Sequence, residues 1–393
     1  MRWYTCTPVA FGGGEDFFAR DSGLMCRGFQ SLGIESRAVM PLPTGADDSG
    51  DLIRTEFANL ESAAWWRSQN LDGVVLYAWG RPRFRKVAAA IRQAGIVLVL
   101  NQDNGGLVSP LAGFRGWVLE QWIMTGRGGC AGNWGAFLKL LLRGLSVGLL
   151  VTDPLRAQHL KQGNVIACVS PAAAAHYRRL CRIYGGKELA QRVEMLPHPV
   201  EATFTLAQSP APKARQIVCI GRWQATLQKR PLLMQAVLQG LLEKDPAVEI
   251  EIVGDATEGL ARWHQSLRSE CQIRVHLRGR IDRVQLGEIL RRSQIFYSPS
   301  TFESFGIAAG EALCCGCTVV AKHSVSMASF EWFVSENSGR LAATDYVQGH
   351  LRALEEELAC WDKGERNPDA ISESWSARLH ADRVAERILN FEF

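Results

Sequence analysis

Residues 299–313 of the chain read PSTFESFGIAAGEAL and contain two glutamates, Glu303 and Glu311, with seven residues between them. The proline, the glycine and the alanine-rich run predict the end of a strand, a turn and the start of a helix. Unpaired amides at a helix N-terminus, together with the helix dipole, favour phosphate oxygens. The amides predicted to lie there are those of Ser304, Phe305, Gly306 and Ile307.

The spacing of the two glutamates predicts a ligand with two polar ends. Eight residues of helix rise by about 12 Å, so Glu303 and Glu311 could contact groups on either side of a diphosphate. A carboxylate binds vicinal hydroxyls well because it accepts two charge-assisted hydrogen bonds. An ordinary helix with exposed glutamates is the alternative.

Around this stretch, short apolar runs alternate with helical segments of ten to fifteen residues. Such alternation predicts a parallel sheet with crossover helices. The runs in the second half of the chain are residues 216–220, 248–253, 273–277, 295–297 and 318–321. The first half has comparable runs at residues 3–7, 72–77, 96–100, 164–170 and 193–196. We therefore predict an α/β protein with two Rossmann-like, doubly wound domains that face a central cleft.

A segment rich in proline and small residues, 208–214, reads as a linker and places a domain boundary near residue 205. The expected domains are residues 1–205 and 206–372. Residues 373–393 have the apolar spacing of an amphipathic helix. Because this helix follows the second alternation, we expect it to pack back on the first domain.

The composition indicates a globular protein and favours the cytoplasm. Of the 393 residues, 47% are apolar and 21% are charged, which is close to the globular average. No run of 18 apolar residues occurs, which argues against a membrane-spanning helix, and the N-terminus lacks the apolar core of a signal peptide. The 11 cysteines are scattered without a paired pattern, as expected of reduced thiols.

The first half of the chain is the more basic one. Residues 1–205 contain 22 Lys and Arg against 16 Asp and Glu, so this half could face an anionic partner such as a phospholipid surface. A compact basic cluster is formed by Arg81, Arg83, Arg85 and Lys86. Ordinary scatter of charge and a solvated face are the alternatives.

Residues 299–313 resemble the E-x7-E motif of the retaining glycosyltransferases of family 4, the group 1 glycosyltransferases of the GT-B fold. The continuation through residues 314–321 fits that family's helix, glycine and following strand. The resemblance implies a hexosyltransferase that moves a sugar from a UDP- or GDP-linked donor to an acceptor hydroxyl. It also implies retention of the anomeric configuration, no metal and no other cofactor, with Glu303 orienting the sugar and Glu311 holding the ribose.

A second similarity follows the first strand of the second half, at Gly221 and Arg222 with Lys229 further along. The family places an Arg and a Lys here to hold the donor diphosphate, and two cations would neutralise the leaving group. The spacing is longer than the family usually has, and the neighbouring Arg230 leaves open which cation makes the contact. A plain surface loop is the alternative.

Looser similarities extend the predicted site into both halves. The resemblance places Gly13 and Gly14 against the transferred sugar and the acceptor, and Arg280 where the backbone approaches the nucleobase. Many family members have a histidine after the fourth strand of the first domain, whereas Asp103 lies in this region here. Asp103 could contact sugar or acceptor hydroxyls, and ordinary turn chemistry is the alternative.

Residues 137–151 predict one amphipathic helix, for which packing in the core is the first expectation. The alternative is a helix on a membrane interface, anchored by Trp117, Trp122 and Trp134. We therefore expect a cytoplasmic enzyme, or one peripheral to the inner face of the membrane, with an anionic or lipid-linked acceptor among the candidates and no nucleic-acid partner. A catalytically weak nucleotide-sugar-binding or scaffold protein on the same fold is the alternative function.

Overall fold

The chain folds into two compact units, each built on a parallel sheet. The computed structural model describes residues 1–126, 133–206, 212–335 and 337–391. The first unit contains Met1–Met124, Asn133–Glu201 and the C-terminal stretch that begins at Arg378, and Ala202–Ala377 form most of the second. Of the predicted linker 208–214, residues 208–211 lie outside the described residues.

The sheet of the first unit has seven parallel strands in the order β3-β2-β1-β4-β5-β6-β7. The strands are β1 Trp3–Cys6, β2 Ala38–Pro41, β3 Leu52–Thr55, β4 Gly73–Tyr77, β5 Val97–Gln102, β6 Val165–Cys168 and β7 Val193–Met195. The central strands are apolar and buried because helices cover both faces. The strand order reverses between β1 and β4, and ligands of such sheets bind beyond the carboxyl ends of the strands at this point.

The helices of the first half lie between these strands. They are α1 Glu15–Phe18, α2 Asp21–Ser31, α3 Phe57–Leu60, α4 Ala63–Ser68, α5 Arg85–Gln93, α6 Phe114–Thr125, α7 Trp134–Arg143, α8 Asp153–Leu160 and α9 Pro171–Gln191. A 3₁₀ turn occupies Pro82–Phe84, and a π-helical stretch, Gly144–Thr152, joins α7 to α8.

The sheet of the second unit has six parallel strands in the order β10-β9-β8-β11-β12-β13. The strands are β8 Ala214–Ile220, β9 Glu249–Val253, β10 Val275–Gly279, β11 Ser293–Ser298, β12 Thr318–Lys322 and β13 Gly339–Ala342. The neighbouring strands β8 and β11 bring the loops that follow them to the same edge of the sheet. The order again reverses beside the first strand of the unit.

The remaining helices follow the same alternation. They are α10 Thr226–Lys229, α11 Pro231–Lys244, α12 Glu258–Ser266, α13 Ser269–Gln272, α14 Arg283–Arg292, α15 Ile307–Cys314, α16 Phe330–Phe333, α17 Val347–Asp362, α18 Pro368–Leu379 and α19 Ala381–Leu389. The predicted α/β, doubly wound class is confirmed for both sheets, and the predicted apolar runs form strands of these sheets.

The C-terminal segment completes the first unit. Helix α19 packs on α2, where Gly28 lets the two backbones approach: a Cβ at Gly28 would lie 2.3 Å from the Ala381 carbonyl oxygen. The Val200 amide donates to the Leu379 oxygen at 2.7 Å, and the Ala381 amide donates to the Val200 oxygen at 3.0 Å. Backbone hydrogen bonds and a glycine contact therefore hold the segment.

The predicted helix over residues 137–151 is longer and more exposed than expected. It belongs to a continuous helical segment, Trp134–Leu160, that is long and apolar enough to cross a membrane by length and composition. Its most apolar 18-residue window has a mean hydropathy of 1.6 and is only 6% buried. The expectation of core packing is wrong for this segment, since Phe137 is the buried residue of α7 and the π-helical stretch has none.

A substitution at Gly28 tests how the C-terminal segment is held. We expect Gly28→Ala to lower the free energy of unfolding by about 1–3 kcal/mol, because the new methyl group would overlap a backbone carbonyl. Chemical denaturation measures this change. Gly259→Ala is the matched control, since its Cβ would lie 3.9 Å from the Thr257 hydroxyl oxygen. Equal effects of the two substitutions would contradict the proposed contact.

Candidate active site

The second unit brings Lys229 and Glu303 into direct contact. Lys229 is the last residue of α10, and its ammonium group forms an ion pair with Oε1 of Glu303. Both side chains are mostly buried, at 16% and 13% exposure. The Ser300 hydroxyl donates to the same oxygen at 2.9 Å. Two positions that the sequence assigned to one site, the phosphate-binding cation and the first glutamate, therefore lie side by side.

Gln228 holds this contact in place and was not identified from the sequence. Its amide nitrogen donates to Oε2 of Glu303 at 3.3 Å and to the Phe302 carbonyl oxygen at 3.3 Å. In return, the Thr301 amide donates to the Gln228 carbonyl oxygen at 2.7 Å. The turn after β8 and the loop after β11 are thus joined by backbone and side-chain hydrogen bonds.

The structure separates the roles of the neighbouring cations. Arg230, at a left-handed φ of 47°, pairs with Asp345 instead of Glu303. Lys322 also pairs with Asp345, at 3.0 Å. Burial acts to raise the pKa of Asp345, but the hydrogen bond from His350 and these two cations hold it well below its usual range. Arg230 is therefore committed elsewhere, and Lys229 is the lysine beside Glu303.

Arg222 lies in the loop directly after β8 and is exposed. Its guanidinium donates to Oε1 of Gln228 at 3.5 Å, a contact weak enough for a ligand to replace. Arg222 thus contacts Gln228 itself, and Lys229 contacts Glu303, which accepts a hydrogen bond from Gln228. This arrangement could present two cations to an anionic ligand.

Glycines let the ends of β8 and β9 approach each other. A Cβ at Gly254, whose φ is 116°, would lie 2.0 Å from the Gly221 carbonyl oxygen. The Gly221 amide donates to the Val253 oxygen at 3.1 Å, and the buried Trp223 indole donates to the same oxygen at 3.1 Å. Side chains are thereby kept out of the space at the strand ends, where backbone can approach a ligand closely.

Glu311 lies inside α15 and is 4% exposed. The Arg283 guanidinium donates to its Oε1 at 2.8 Å and lies 4.6 Å from the centre of the Phe204 ring. Arg283 is a second site residue that the motif did not reveal. It stabilises a nearly buried carboxylate at the position expected to hold a ribose.

The turn between the glutamates has the predicted form. Gly306, at a φ of 85°, precedes α15, and a Cβ there would lie 2.7 Å from the Phe330 ring. The Ser304 carbonyl oxygen accepts from the Ser329 hydroxyl at 3.0 Å, and the Glu303 amide donates to the Ser326 carbonyl oxygen at 2.9 Å. Residues 304–307, whose backbone amides were predicted to face phosphates, therefore lie directly before α15 and at its first residue.

Arg280 follows β10 and its side chain is 83% exposed. The guanidinium pairs with Asp255 at 2.8 Å. The preceding Gly279 has a φ of 65° and accepts from the Gly254 amide at 2.8 Å. A backbone approach to a nucleobase at Arg280 stays a prediction.

In the first unit, Asp103 contacts a histidine that sequence reasoning did not assign to the site. His198 Nε2 lies 2.7 Å from Oδ1 of Asp103, and its Nδ1 lies 3.8 Å from Oδ1 of Asp21. The imidazole is 2% exposed. Only the fold shows that His198 faces Asp103.

This cluster of one histidine and two aspartates favours the protonated form of His198. Burial, the largest influence, lowers the pKa of His198, but the charge and hydrogen bond of Asp103 and the charge of Asp21 raise it to about 9. The ligand atoms lie within 4.8 Å of one another. The 2.7 Å contact between His198 and Asp103 fits a hydrogen bond.

Gly13 and Gly14 border a pocket in the same unit. The pocket has a volume of about 590 Å³ and lies beyond the ends of β1 and β4. A Cβ at Gly13 would lie 2.3 Å from Oδ1 of Asp48, and its carbonyl oxygen accepts from the Ser49 amide at 3.0 Å. A side chain at position 13 would therefore displace the side chains of Leu52 and Asp48.

Comparison with known structures identifies the fold of the chain. Lipopolysaccharide outer core galactosyltransferase WaaB superimposes with a TM-score of 0.64 at 11% identity, covering 99% of this chain and 98% of that one. Anabaena HepE in complex with UDP and glucose gives 0.58 at 14% identity, with 99% and 98% coverage. A putative UDP-N-acetylglucosamine 2-epimerase from Listeria monocytogenes gives 0.55 at 12% identity, with 98% and 94% coverage. The chain has the GT-B fold.

A sequence match narrows the class further. Residues 214–358, within the second unit, match the family model described as Glycosyl transferases group 1. No curated protein sequence matches the chain. Together with the GT-B fold, this match supports a transferase.

The raised pKa of His198 predicts a pH-dependent stability. Because its pKa of about 9 exceeds the ordinary value of 6.5, its contribution is complete below pH 6.5 and is lost as the pH rises through 9. We expect the free energy of unfolding to fall by up to about 3 kcal/mol over this range. Urea titrations at several pH values measure it. His198→Asn should remove the dependence, while His323→Gln, at an exposed histidine, should keep it; an unchanged profile in His198→Asn would contradict this assignment.

Proposed function

We propose that the protein is a retaining, metal-independent hexosyltransferase. It transfers a sugar from a nucleotide-diphosphate donor, UDP- or GDP-linked, to an acceptor hydroxyl. The observation that carries the proposal is the contact between Lys229 and Glu303, in a unit that matches the group 1 glycosyltransferase model. The donor binds the second unit, and the acceptor binds the first unit near Gly13, Gly14 and Asp103.

Each donor-site residue has a role that its position supports. Arg222 and Lys229 stabilise the diphosphate, which gains negative charge as the sugar–phosphate bond breaks. Glu303 accepts hydrogen bonds from the sugar hydroxyls, and Glu311 accepts them from the ribose. Because two cations neutralise the leaving group, the reaction proceeds without a divalent metal.

Retention follows if the acceptor attacks the face that the diphosphate leaves. The bond from the acceptor oxygen to the anomeric carbon forms while the bond from that carbon to the phosphate oxygen breaks. The acceptor hydroxyl loses its proton to the departing phosphate oxygen. The nucleoside diphosphate therefore leaves with one proton on its terminal phosphate. Lys229 exchanges its partner, Glu303, for a diphosphate oxygen when the donor binds.

We also propose that the protein is a cytoplasmic protein that binds the inner face of a phospholipid membrane through α7 and the π-helical stretch. Seven apolar side chains there are 45–78% exposed. They are Trp134, Leu138, Leu142, Leu145, Val147, Leu150 and Val151. The segment lies on the membrane and does not cross it, because its last turns are packed in the first unit: Asp153 and His159 are 1% and 0% exposed.

The charges around this segment favour an anionic lipid surface. Residues 121–152 contain no Asp or Glu, whereas Lys139 and Arg143 lie on α7 among the exposed leucines. Trp122, Trp134 and Phe137 form an aromatic cluster, with ring centroids 4.7–5.8 Å apart. Tryptophans and basic residues beside an apolar helix are typical of a membrane interface, and a lipid-linked acceptor would be presented there.

A donor-binding experiment tests the glycosyltransferase proposal. We expect a thermal shift of the protein with one class among UDP-, GDP-, ADP- and dTDP-glucose, unchanged by EDTA. Glu311→Gln should weaken binding by a factor of ten or more, since a ribose partner and the Arg283 pair are lost. Glu251→Gln is the matched control, because Glu251 is equally buried and pairs with Arg278 away from the motif.

The outcomes separate the two candidate functions. Binding followed by transfer of the sugar to an acceptor supports the enzyme, whereas binding without turnover over a broad acceptor panel supports the scaffold alternative. Absence of any shift at millimolar donor, or an equal loss in Glu251→Gln, would contradict the donor site.

Vesicle sedimentation tests the membrane proposal. We expect the protein to bind vesicles that contain phosphatidylglycerol more strongly than pure phosphatidylcholine vesicles. Leu142→Glu should reduce binding at least tenfold, because it places a charge in the apolar surface. Leu232→Glu is the matched control: Leu232 is 70% exposed, as Leu142 is 68% exposed, but lies on α11. Equal binding by both variants would refute this surface.

A further inference from the structure

The pocket beside the Gly13 loop is lined by residues of the first unit, several of them aromatic or acidic. Phe11 and Trp79 border it, with ring centroids 6.1 Å apart, and Phe11 is 48% exposed. Aromatic faces of this kind pack against the C–H faces of carbohydrate rings. Its acidic lining residues are Glu15, Asp16, Asp21, Asp47 and Asp48, against one basic residue, Arg20.

Two of these acids are neutralised by the protein itself. Glu15 pairs with Arg27 at 2.6 Å, and Asp48 pairs with Arg54 at 2.8 Å. Within the described part of the chain, Asp16 and Asp47 form no ion pair with a lysine, arginine or histidine, and Asp21 shares the His198 imidazole with Asp103. The pocket therefore keeps a surplus of negative charge, although the first half of the chain is basic overall.

Asp21 is fixed in an unusual backbone conformation at the start of α2. Its φ is 50°, a left-handed value that costs free energy for a residue with a side chain. The carboxylate is 41% exposed and faces the His198 imidazole at 3.8 Å, while Asp103 holds the other imidazole nitrogen at 2.7 Å. Asp21, His198 and Asp103 form a row that ends at the pocket.

The backbone around His198 is held on both sides. The Leu196 amide donates to the Cys168 oxygen of β6 at 2.8 Å, and Val200 is bonded to the C-terminal segment before α19. The imidazole is thus a rigid support, and its position decides where the Asp21 carboxylate lies.

Tyr77 supplies an independent sign that a polar ligand binds here. Its side chain lines the pocket and is 2% exposed, and its hydroxyl has no hydrogen-bond partner among the residues that the structure describes. Burial together with the charges of Asp21 and Asp103 raises the pKa of Tyr77, so the hydroxyl stays protonated. A buried hydroxyl without a partner is unfavourable, and a ligand hydroxyl in the pocket would satisfy it.

We propose that this pocket binds an acceptor with several hydroxyls that is neutral or carries an amine, and that Asp21 accepts its hydrogen bonds. His198 and Asp103 are positioning residues that act through Asp21. The inference rests on the proposed glycosyl transfer and names the acceptor class for it. A carboxylate or phosphate on the acceptor would be repelled by Asp16, Asp21 and Asp47, which makes the pocket selective by charge.

Binding of three matched probes tests the acceptor class. We expect methyl glucoside and methyl glucosaminide to bind at pH 7, the amine at least as tightly, and methyl glucuronide at least tenfold more weakly, as measured by ligand-observed NMR titration. Asp21→Asn should weaken the glucosaminide at least tenfold. Asp362→Asn, at an exposed aspartate of the second unit, should change none of the affinities. Tightest binding of the glucuronide, or no effect of Asp21→Asn, would overturn the proposal.

A pH profile separates the positioning role of His198 from a structural one. The groups that face His198 are Asp21 on α2, Asp103 after β5 and Tyr77 on β4. We expect affinity for the neutral methyl glucoside to be constant from pH 6 to 8 and to fall severalfold above pH 9, where the imidazolium loses its proton. His198→Gln should keep a folded protein whose affinity is lower and independent of pH. A retained fall above pH 9 in this variant would overturn the role of His198.

Measuring donor binding in parallel distinguishes a failure of the acceptor inference from a failure of the proposed glycosyltransferase function. If the UDP- or GDP-sugar shift persists and turnover occurs while none of the probes binds this pocket, the acceptor inference fails and the glycosyltransferase stands. If donor binding fails as well, the proposed function fails first.

Discussion

The ion pair between Lys229 and Glu303 is the interaction on which the proposed donor site depends. It joins the turn after β8 to the loop after β11, and these strands are neighbours in a parallel sheet. Each charge neutralises the other, so both side chains remain mostly buried without a ligand. Gln228 supports the pair from the same turn. The proposed site is therefore assembled without a ligand, and an anionic donor would need to replace only one partner of the pair.

Periodicity predicted the fold well where strands are long and apolar. The central strands of both sheets were found because helices cover both of their faces, which makes them continuous apolar runs. Strands β2, β3 and β13 have four residues each and were not predicted. β3 is only partly buried and contains Arg54, so its composition resembles that of a loop. Tertiary pairing, which the local sequence does not encode, makes it a strand.

The site was predictable only where the motif is local in sequence. Glu303, Glu311 and the turn between them were found because one strand end and one helix contain them all. Gln228, Arg283 and His198 were missed, because each acts through a contact with a residue far along the chain. The prediction that residues 137–151 pack in the core was wrong for another reason. Amphipathic spacing predicts a helix but does not say what covers its apolar face.

The return of the chain to its first unit has a consequence for the order of synthesis. Residues after 378 complete the packing around α2 and Val200, yet the ribosome makes them only after residues 202–377. At ~5–20 residues per second, the first unit would wait about 10–35 s for its final helix while the second is made. During that interval the surface beneath α19 is uncovered, so the first half of the chain depends on chaperones or on its own partial stability until α19 has been made.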